Sequence, residues 1–281
     1  ERASKCAEAN GIKHVFTDYN EMLKLPELDA VSICAVNCVH APATIAALKA
    51  GKHVLCEKPM AMNAAEAVEM EKAAKESGKI LMIGFVRRFG NDAKILKDFI
   101  DNGTMGEIYY AKASYLRRNG CPGGWFSNKK LSGGGPLIDL GVHVIDLVRY
   151  LMGNPKAVSV SGVTYNKLGQ RSHIKTPKTY VAADQQSNVY DVEDLAVALI
   201  RFDNGAALTV ETSFSLNIKK DTGSIELFGT KAGAKLDPGL ELYSEINDYL
   251  VDITPVGDTA LNFNGLFENE VSHFIDCVVN G

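Results

Sequence analysis

The sequence predicts an α/β protein in which a doubly wound parallel sheet is followed by an α+β domain with a large, mainly antiparallel open sheet. Short apolar runs alternate with helical patterns in the first third of the 281 residues, which is the order of strands and crossover helices in a parallel sheet. Beyond a glycine-rich turn and one long apolar helix, strand patterns and hairpin signals dominate. We therefore predict two domains, residues 1–86 and residues 87–281.

The elements of the first domain follow from apolar runs and helix stops. A helix from Arg2 to Ala9 ends at Asn10-Gly11. The run Ala30 to Val36 is apolar and rich in β-branched residues, which predicts a buried parallel strand. The other predicted elements are a short strand near His14 to Phe16, a helix at Ala41 to Ala50, a strand at His53 to Cys56 and a strand at Ile80 to Phe85.

A further helix between these last two strands has a defined start and end. Asn63 is a good N-cap, and Glu66 follows three residues later, as in a capping box. Ala67, Met70 and Ala74 are spaced to share a buried face. Gly78 ends the helix.

The second domain is predicted from one helix and a series of strands. A buried helix runs from Pro136 to Leu151, and the hairpin signal Asp203-Asn204-Gly205 joins two strands. The flanking strands are Leu195 to Phe202 and Ala206 to Phe214. The remaining elements are a helix at Asp92 to Ile100, an extended segment at Glu107 to Arg117, and strands at Ser224 to Phe228 and near Leu240 to Tyr243.

Composition excludes several classes of protein. A formal charge of −4 and a pI of about 5.9 provide no basic footprint for nucleic acid. Apolar runs such as Ala30 to Val36 are too short to cross a bilayer. Six cysteines without a paired framework suit reduced thiols, so we expect a cytoplasmic protein.

The first candidate site is Cys56-Glu57-Lys58-Pro59, at the carboxyl end of a predicted strand. Asn37 and His40 follow the neighbouring strand, and ligands of open parallel sheets bind at this edge. A surface loop explains the four residues about equally well when they are taken alone, because short motifs often match by accident.

The second candidate site lies on the helix after Gly133-Gly134-Gly135. Asp139, His143 and Asp146 are spaced to share one face of an otherwise apolar helix. A buried polar stripe must pair internally or face a polar cavity. A core histidine held by Asp139 is the alternative to a functional site, and the two aligned carboxylates favour the site.

Two lesser candidates are also present. Cys34, Cys38 and His40 suggest a zinc site, but buried thiols are favoured because no second ligand pair has zinc spacing. Arg117-Arg118 with Trp125-Phe126 fits a sugar-binding rim and an ordinary solvated loop about equally.

Taken together, these segments resemble the family of glucose–fructose oxidoreductase, inositol dehydrogenase and their relatives. The resemblance covers nearly the whole chain in order. The matching stretches are Val31 to Cys34 with Asn37 and His40, Gly51 to Pro59, Arg87-Arg88-Phe89, Gly134 to His143, and Glu193-Asp194 through Arg201 to Gly205.

The resemblance implies a Rossmann domain that binds NAD or NADP, and hydride transfer to or from a secondary alcohol of a sugar or polyol. It implies no metal. The implied catalytic residues are Lys58, Asp139 and His143, the cofactor-binding residues Asn37, His40, Glu57 and Lys58, and the substrate-binding residues Arg88, Arg118 and Trp125. A non-catalytic nucleotide sensor on the same fold and a metal-dependent hydrolase are the rival classes; the sensor would be expected to lack one of the three catalytic groups, and the hydrolase lacks ligand spacing.

The chain departs from the family at its start. No G-x-G-x-x-G precedes Ala30, so the first β-α unit, about 30 residues, is expected to be missing ahead of Glu1. The family also continues past Gly281. The residue that selects NAD or NADP belongs to the missing part, and Val36 and Cys38 replace the usual residues beside Asn37.

For the chemistry, His143 has the ordinary pKa of a general base, and Asp139 is positioned to orient its imidazole. Lys58 either stabilises negative charge on the substrate oxygen or transfers the proton itself, and the sequence leaves both roles open. The open sheet, including Glu211 to Leu216, predicts a homodimer or homotetramer.

Overall fold

The computed structural model describes residues 2–169, 171, 173–176, 180–183, 189–261 and 263–281. Its first part is a three-stranded parallel sheet with helices around it, as predicted. The strands are Ala30–Ile33 (β1), His53–Glu57 (β2) and Leu81–Gly84 (β3), and the helices are Arg2–Asn10 (α1), Tyr19–Met22 (α2), Asn37–Lys49 (α3) and Ala64–Ser77 (α4).

The core of this part lies between the sheet and the alanine-rich α3. Val54 and Cys56 of β2 are fully buried, as are Ala47 and Leu48 of α3. Small side chains let the helix approach the sheet closely. The helix begins four residues earlier than predicted, because Pro42 is accommodated within it rather than marking its start.

The predicted caps of α4 are present. Asn63 Oδ1 accepts a hydrogen bond from the Glu66 N–H at 3.0 Å, and Gly78 ends the helix in the left-handed conformation at φ 63°. The Glu66 carboxylate accepts a hydrogen bond from the Met62 N–H, one residue before the Asn63 N–H that a capping box would use.

The prediction of a short strand near His14 to Phe16 is wrong. These residues pair with no strand in the described part of the chain, and the Val15 side chain is 43% exposed. A strand needs a neighbour for its backbone hydrogen bonds, and β1 pairs only with β2 among the described strands.

The second part is built on an eight-stranded sheet. The 3₁₀ turn Val86–Phe89 leads from the first sheet into it. The remaining elements are the helices Asn91–Asp101 (α5), Lys129–Ser132 (α6), Val142–Leu151 (α7) and Leu266–Asn280 (α8), and the strands Ile108–Leu116 (β4), Ala157–Tyr165 (β5), Leu195–Phe202 (β6), Ala207–Ser213 (β7), Thr222–Gly229 (β8), Ala232–Leu236 (β9), Glu241–Ile246 (β10) and Tyr249–Ile253 (β11).

The order of strands across the large sheet is β11-β10-β9-β8-β4-β7-β6-β5. Of the named pairs in this sheet, β4 with β7 is parallel and the others are antiparallel. The prediction of a mainly antiparallel sheet is therefore confirmed. The predicted hairpin joins β6 and β7 as expected.

The long helix of the second domain covers one face of this sheet. Val144, Leu147 and Leu151 of α7 are buried in the main core with residues of β4, β7 and β8. The helix starts with a π-helical turn, Leu137–Gly141. The stretch Lys129–Leu151 is long and apolar enough to cross a membrane by composition, contrary to our expectation of short runs only, but most of it is buried inside the fold.

The β5 edge of the sheet is open, and every residue of this strand is exposed. Val158 and Val160 are 63% and 65% exposed, and Leu199 of β6 is 42% exposed. The segment that we expected to present an open face, Glu211 to Leu216, is instead largely buried from Thr212 to Ser215. The open apolar area is therefore displaced toward the β5 edge.

The helix α8 was not predicted. It buries Leu266, Glu270 and Phe274, four residues apart, against the 3₁₀ turn at Val86–Phe89. That turn comes directly after β3. The last described helix thus returns the chain to the edge of the parallel sheet.

Candidate functional site

A cavity of about 340 Å³ lies where the carboxyl ends of β1 and β2 meet the first turns of the long helix. Its walls come from both parts of the chain. The lining residues are Cys34, Ala35, Asn37, Glu57, Lys58, Tyr115, Arg117, Trp125, Phe126, Asp139, Leu140, His143 and Tyr180.

An ion pair joins the two parts of the chain inside this cavity. The Lys58 ammonium, just after β2, lies 2.8 Å from Asp139 Oδ1 and donates to the Asp139 carbonyl at 3.0 Å. The two side chains are only 18% and 12% exposed. Lys58 has three donors, so two held by Asp139 leave one for another oxygen.

His143 lies on the same helix and lines the same cavity. Its Nδ1 is buried and has no hydrogen-bond partner among the described residues. Burial, together with the positive charges of Lys58, Arg87 and Arg117, lowers the pKa of His143 from 6.5 to about 3. The imidazole is therefore neutral near pH 7, and the intrinsic pKa of histidine, on which the general-base role was based, does not hold at this position.

The expected contact between Asp139 and His143 is absent from the hydrogen bonds of the described residues, because the carboxylate pairs with Lys58 instead. Asp139 belongs to the π-helical turn, which is wider than an α-helical turn. The α-helical spacing used for the prediction therefore does not apply across this turn. A cation attracts the carboxylate more strongly than a neutral imidazole does.

The start of the helix is held by a residue that the sequence did not assign. Glu193 accepts hydrogen bonds from the Gly135 N–H at 2.9 Å and the Leu137 N–H at 3.2 Å. A carboxylate there satisfies free N–H groups and complements the helix dipole. A side chain at Gly135 would collide with the Glu193 carbonyl oxygen, 2.2 Å from an added Cβ, which explains the glycine.

Asp146, the third member of the predicted stripe, is outside the cavity. It accepts hydrogen bonds from Arg88 Nε at 2.7 Å and Arg88 Nη2 at 2.5 Å. Burial raises the pKa of Asp146, and this ion pair opposes the rise. Arg88, which the resemblance assigned to the substrate, is therefore engaged in a half-buried ion pair outside the cavity.

The predicted cofactor residues divide into two groups. Glu57 lines the cavity and accepts a hydrogen bond from the Lys58 N–H. Asn37 also lines it, with its amide nitrogen donating to the Ser132 carbonyl at 2.7 Å. His40 is buried away from the cavity, and its two ring nitrogens lie at 2.7 and 3.0 Å from the carbonyl oxygens of Pro59 and Ala35.

Of the two arginines in the predicted sugar rim, Arg117 lines the cavity, whereas the resemblance assigned Arg118 to the substrate. Arg118 is exposed and donates to the Lys219 carbonyl at 3.0 Å. Arg117 lines the cavity, stacks 5.3 Å from the Tyr115 ring centre and donates to the Gly120 carbonyl. Trp125 lines the cavity, as do Phe126 and Tyr180. Strand alternation, which sends Arg117 and Arg118 to opposite sides, was the available signal.

No cluster of three or more metal-binding side chains exists in the described part of the chain. A nicotinamide group fits better than a metal. Small residues at the end of β1, Cys34 and Ala35, leave room beside the sheet edge, and this is where nucleotides bind in open parallel sheets. Asn37, Glu57 and Lys58 would hold its ribose and amide side.

Two family models match the chain. Residues 1–85 match the oxidoreductase family with an NAD-binding Rossmann fold, and residues 94–235 match the GFO/IDH/MocA C-terminal domain. The chain belongs to the GFO/IDH/MocA family. This member is therefore an oxidoreductase that uses NAD or NADP.

Curated relatives of this GFO/IDH/MocA chain include sugar dehydrogenases. It is 40% identical over 254 residues to D-glucoside 3-dehydrogenase of Escherichia coli (strain K12), covering 90% of this chain and 71% of that protein. It is 30% identical to levoglucosan dehydrogenase of Pseudarthrobacter phenanthrenivorans (strain DSM 18606 / JCM 16027 / LMG 23796 / Sphe3), covering 82% of this chain. The match spans only 61% of that second relative.

Solved structures agree with this family. A levoglucosan dehydrogenase in complex with NADH and levoglucosan superimposes with a TM-score of 0.83 at 25% identity. The match covers 99% of this chain and 78% of that one. The fold class predicted from the sequence is confirmed.

Proposed function

We propose that this oxidoreductase transfers a hydride between NAD or NADP and a secondary alcohol of a sugar or polyol, with Lys58, Asp139 and His143 around the reacting carbon. The observation that carries the proposal is the 2.8 Å contact between Lys58 Nζ and Asp139 Oδ1. It brings a cation, a carboxylate and a neutral imidazole to the sheet edge at which nicotinamides bind.

Lys58 is the group that handles the substrate oxygen. Asp139 holds two of its three N–H groups and keeps the ammonium in a fixed position. The remaining N–H donates to the oxygen on which negative charge develops, in a site shielded from water. The nicotinamide, when bound, supplies the carbon that takes up or returns the hydride.

Between the two proton-transfer groups left open by the sequence, we favour Lys58. Protonating His143 would place a cation beside Lys58, Arg87 and Arg117 in a buried position, and these are the charges that lower its pKa. A neutral His143 instead hydrogen-bonds the substrate hydroxyl and fixes its orientation. In the reducing direction the Lys58 ammonium gives its proton to the carbonyl oxygen as the hydride reaches the carbon.

The substrate class follows from the relatives and the walls of the cavity. Two relatives are named for D-glucosides and levoglucosan. Aromatic rings and one arginine line this cavity, which suits a sugar ring with apolar faces and hydroxyl edges. D-Glucosides are therefore the first substrates to test, ahead of the inositols.

The setting of the enzyme belongs to the same proposal. No disulfide joins any of the six cysteines, all of which lie in the described part of the chain, and this fits a reducing cytoplasm. The exposed apolar strand β5, with Val158, Val160 and Val163, supports a homodimer or homotetramer. Light scattering at micromolar concentration tests the assembly, and a monomer mass contradicts it.

The test of the activity is absorbance at the reduced-nicotinamide band. The full-length protein with NAD or NADP is given D-glucosides, free sugars and inositols in turn. We expect turnover with at least one of these, and Lys58→Met should lower kcat by about two to four orders of magnitude while cofactor affinity changes little. No turnover with the whole panel, or full turnover in Lys58→Met, contradicts the proposal.

A further inference from the structure

Three aromatic rings form a continuous wall of the cavity that the proposed chemistry does not use. Trp125 and Phe126 stack with ring centres 3.8 Å apart, and Tyr180 meets Phe126 edge-on at 6.1 Å. All three line the cavity. Trp125 and Phe126 are partly buried, whereas Tyr180 is 51% exposed. We call Trp125, Phe126 and Tyr180 the aromatic wall.

The aromatic wall is fixed by its backbone. Trp125 and Phe126 lie in the 3₁₀ turn Gly124–Ser127. The buried Ser127 hydroxyl lies 3.0 Å from the Gly124 carbonyl oxygen and 2.8 Å from that of Val189. The segment carrying Tyr180 is tied to the same loop, because the Ala182 N–H donates to the Pro122 carbonyl at 3.0 Å. A fixed ring costs little conformational entropy when a ligand stacks on it.

The position of the wall separates it from the reacting groups. Lys58 and Asp139 are nearly buried at one side of the cavity, whereas the wall runs outward to a ring that is half in solvent. We infer that a ligand whose reacting carbon contacts Lys58 and His143 reaches Tyr180 with a part beyond its first ring, because Tyr180 is the most exposed ring of the wall. Large exposed aromatic surface at a cavity mouth is typical of a binding site.

We propose that the aromatic wall is a subsite for the group carried on the anomeric oxygen, so that the enzyme prefers glycosides with a second ring over simple alkyl glycosides. The inference rests on the proposed function and adds a substrate preference to it. A flat ring, or the apolar face of a second sugar, stacks on Tyr180 and Phe126. Arg117, whose side chain is held at Tyr115 and the Gly120 carbonyl, hydrogen-bonds the hydroxyls between the two ends.

The first experiment compares methyl and phenyl D-glucosides of the same anomeric configuration with the cofactor-loaded, full-length enzyme. We expect kcat/KM for the phenyl glucoside to be about three- to tenfold higher, the range of one aromatic contact. Tyr180→Ala should remove this ratio, because it should lower kcat/KM for the phenyl glucoside about three- to tenfold more than for the methyl glucoside. Tyr249→Ala, which alters a 74% exposed tyrosine on β11, is the matched control and should keep the ratio.

A binding measurement supplies a readout that does not depend on turnover. Trp125 is the single tryptophan of this sequence, so its fluorescence reports on the wall directly. Phenyl glucoside should quench it more strongly than methyl glucoside, and the Tyr180→Ala protein should need about three- to tenfold more ligand. Trp125→Phe provides the blank for this measurement.

The outcomes separate the two proposals. No turnover of any sugar or polyol contradicts the proposed function, and the subsite with it. Turnover of both glucosides at equal kcat/KM, or an equal loss for both in Tyr180→Ala, overturns the subsite and leaves the function standing. Equal quenching of Trp125 by both ligands also counts against the subsite.

Discussion

Two carboxylates on one helix, Asp139 and Asp146, have the same sequence signal and opposite surroundings. Asp139 lies in the π-helical turn at the front of the helix and pairs with Lys58 in the cavity. Asp146 lies two turns further along and pairs with Arg88, away from the cavity. The partner decides the role: the Lys58 pair lines the cavity, whereas the bidentate Arg88 pair lies outside it.

The largest expected effect is on catalysis at the front of the helix. Asp139→Ala frees the Lys58 ammonium from its fixed position, so kcat should fall by about two to four orders of magnitude. Steady-state kinetics measure the loss, and near-ultraviolet circular dichroism checks that the fold is intact. Wild-type turnover in this variant would falsify the role given to the pair.

The second effect is on stability at the back of the helix. Asp146→Ala leaves the Arg88 guanidinium without its carboxylate. Because Arg88 is 34% exposed, water compensates part of the loss, and we expect a cost of about 1–3 kcal/mol of unfolding free energy. Urea denaturation measures this loss, while kcat per folded molecule should stay near the wild-type value.

Asp101→Ala is the matched control for that variant. Asp101 pairs with Lys97 on the surface and is 58% exposed, and exposed pairs contribute about 0–1 kcal/mol. If Asp146→Ala destabilises the protein no more than Asp101→Ala does, or if it removes catalysis, the structural role given to Asp146 is wrong.

A third effect depends on pH and arises from His143. Because burial and nearby cations lower its pKa from 6.5 to about 3, the unfolded chain binds a proton in this window that the folded chain does not. Stability from this group is therefore complete above about pH 6.5 and is lost as the pH falls toward 3, by about 1.4 kcal/mol per unit. His143→Gln should flatten this dependence in urea titrations at pH 7 and pH 4.5.

The pH dependence of stability that arises from Glu270 has the opposite sign to that from His143, so the experiment must separate the two. Burial, and then the charge of Glu57, raise its pKa from 4.5 to about 7, so its folded form holds the extra proton and stability falls as the pH rises through that window. The difference between wild type and His143→Gln cancels this contribution. If the free energy of unfolding changes between pH 7 and pH 4.5 by the same amount in wild type and in His143→Gln, the lowered pKa assigned to His143 is wrong.

The smallest effect distinguishes two adjacent arginines. Arg117 lines the cavity and Arg118 does not, so Arg117→Ala should raise the KM for the sugar by about tenfold, the effect of losing one hydrogen bond from a charged donor. Arg118→Ala should change KM by less than about twofold. A larger effect at Arg118 restores the assignment that the family resemblance suggested.

Local patterns predicted the elements that depend on neighbours in the chain. The caps of α4 at Asn63 and Gly78, the hairpin between β6 and β7 and the parallel order of β1 to β3 all agree with the structure. Capping and turn formation need only a few adjacent residues. The strand near His14 failed because a strand depends on a partner elsewhere, which local composition cannot reveal.

The candidate site divides in the same way. The sequence by itself determined which residue types could do the chemistry, because Lys58 stands at a strand end and Asp139 and His143 stand on an apolar helix. Only the tertiary structure decided their partners: Lys58 meets Asp139 across 81 residues and Arg88 meets Asp146 across 58. Charge pairing and burial act through space. Packing between distant segments, rather than spacing along the chain, therefore explains the neutral His143, the ion pair of Asp146 with Arg88 and the aromatic wall.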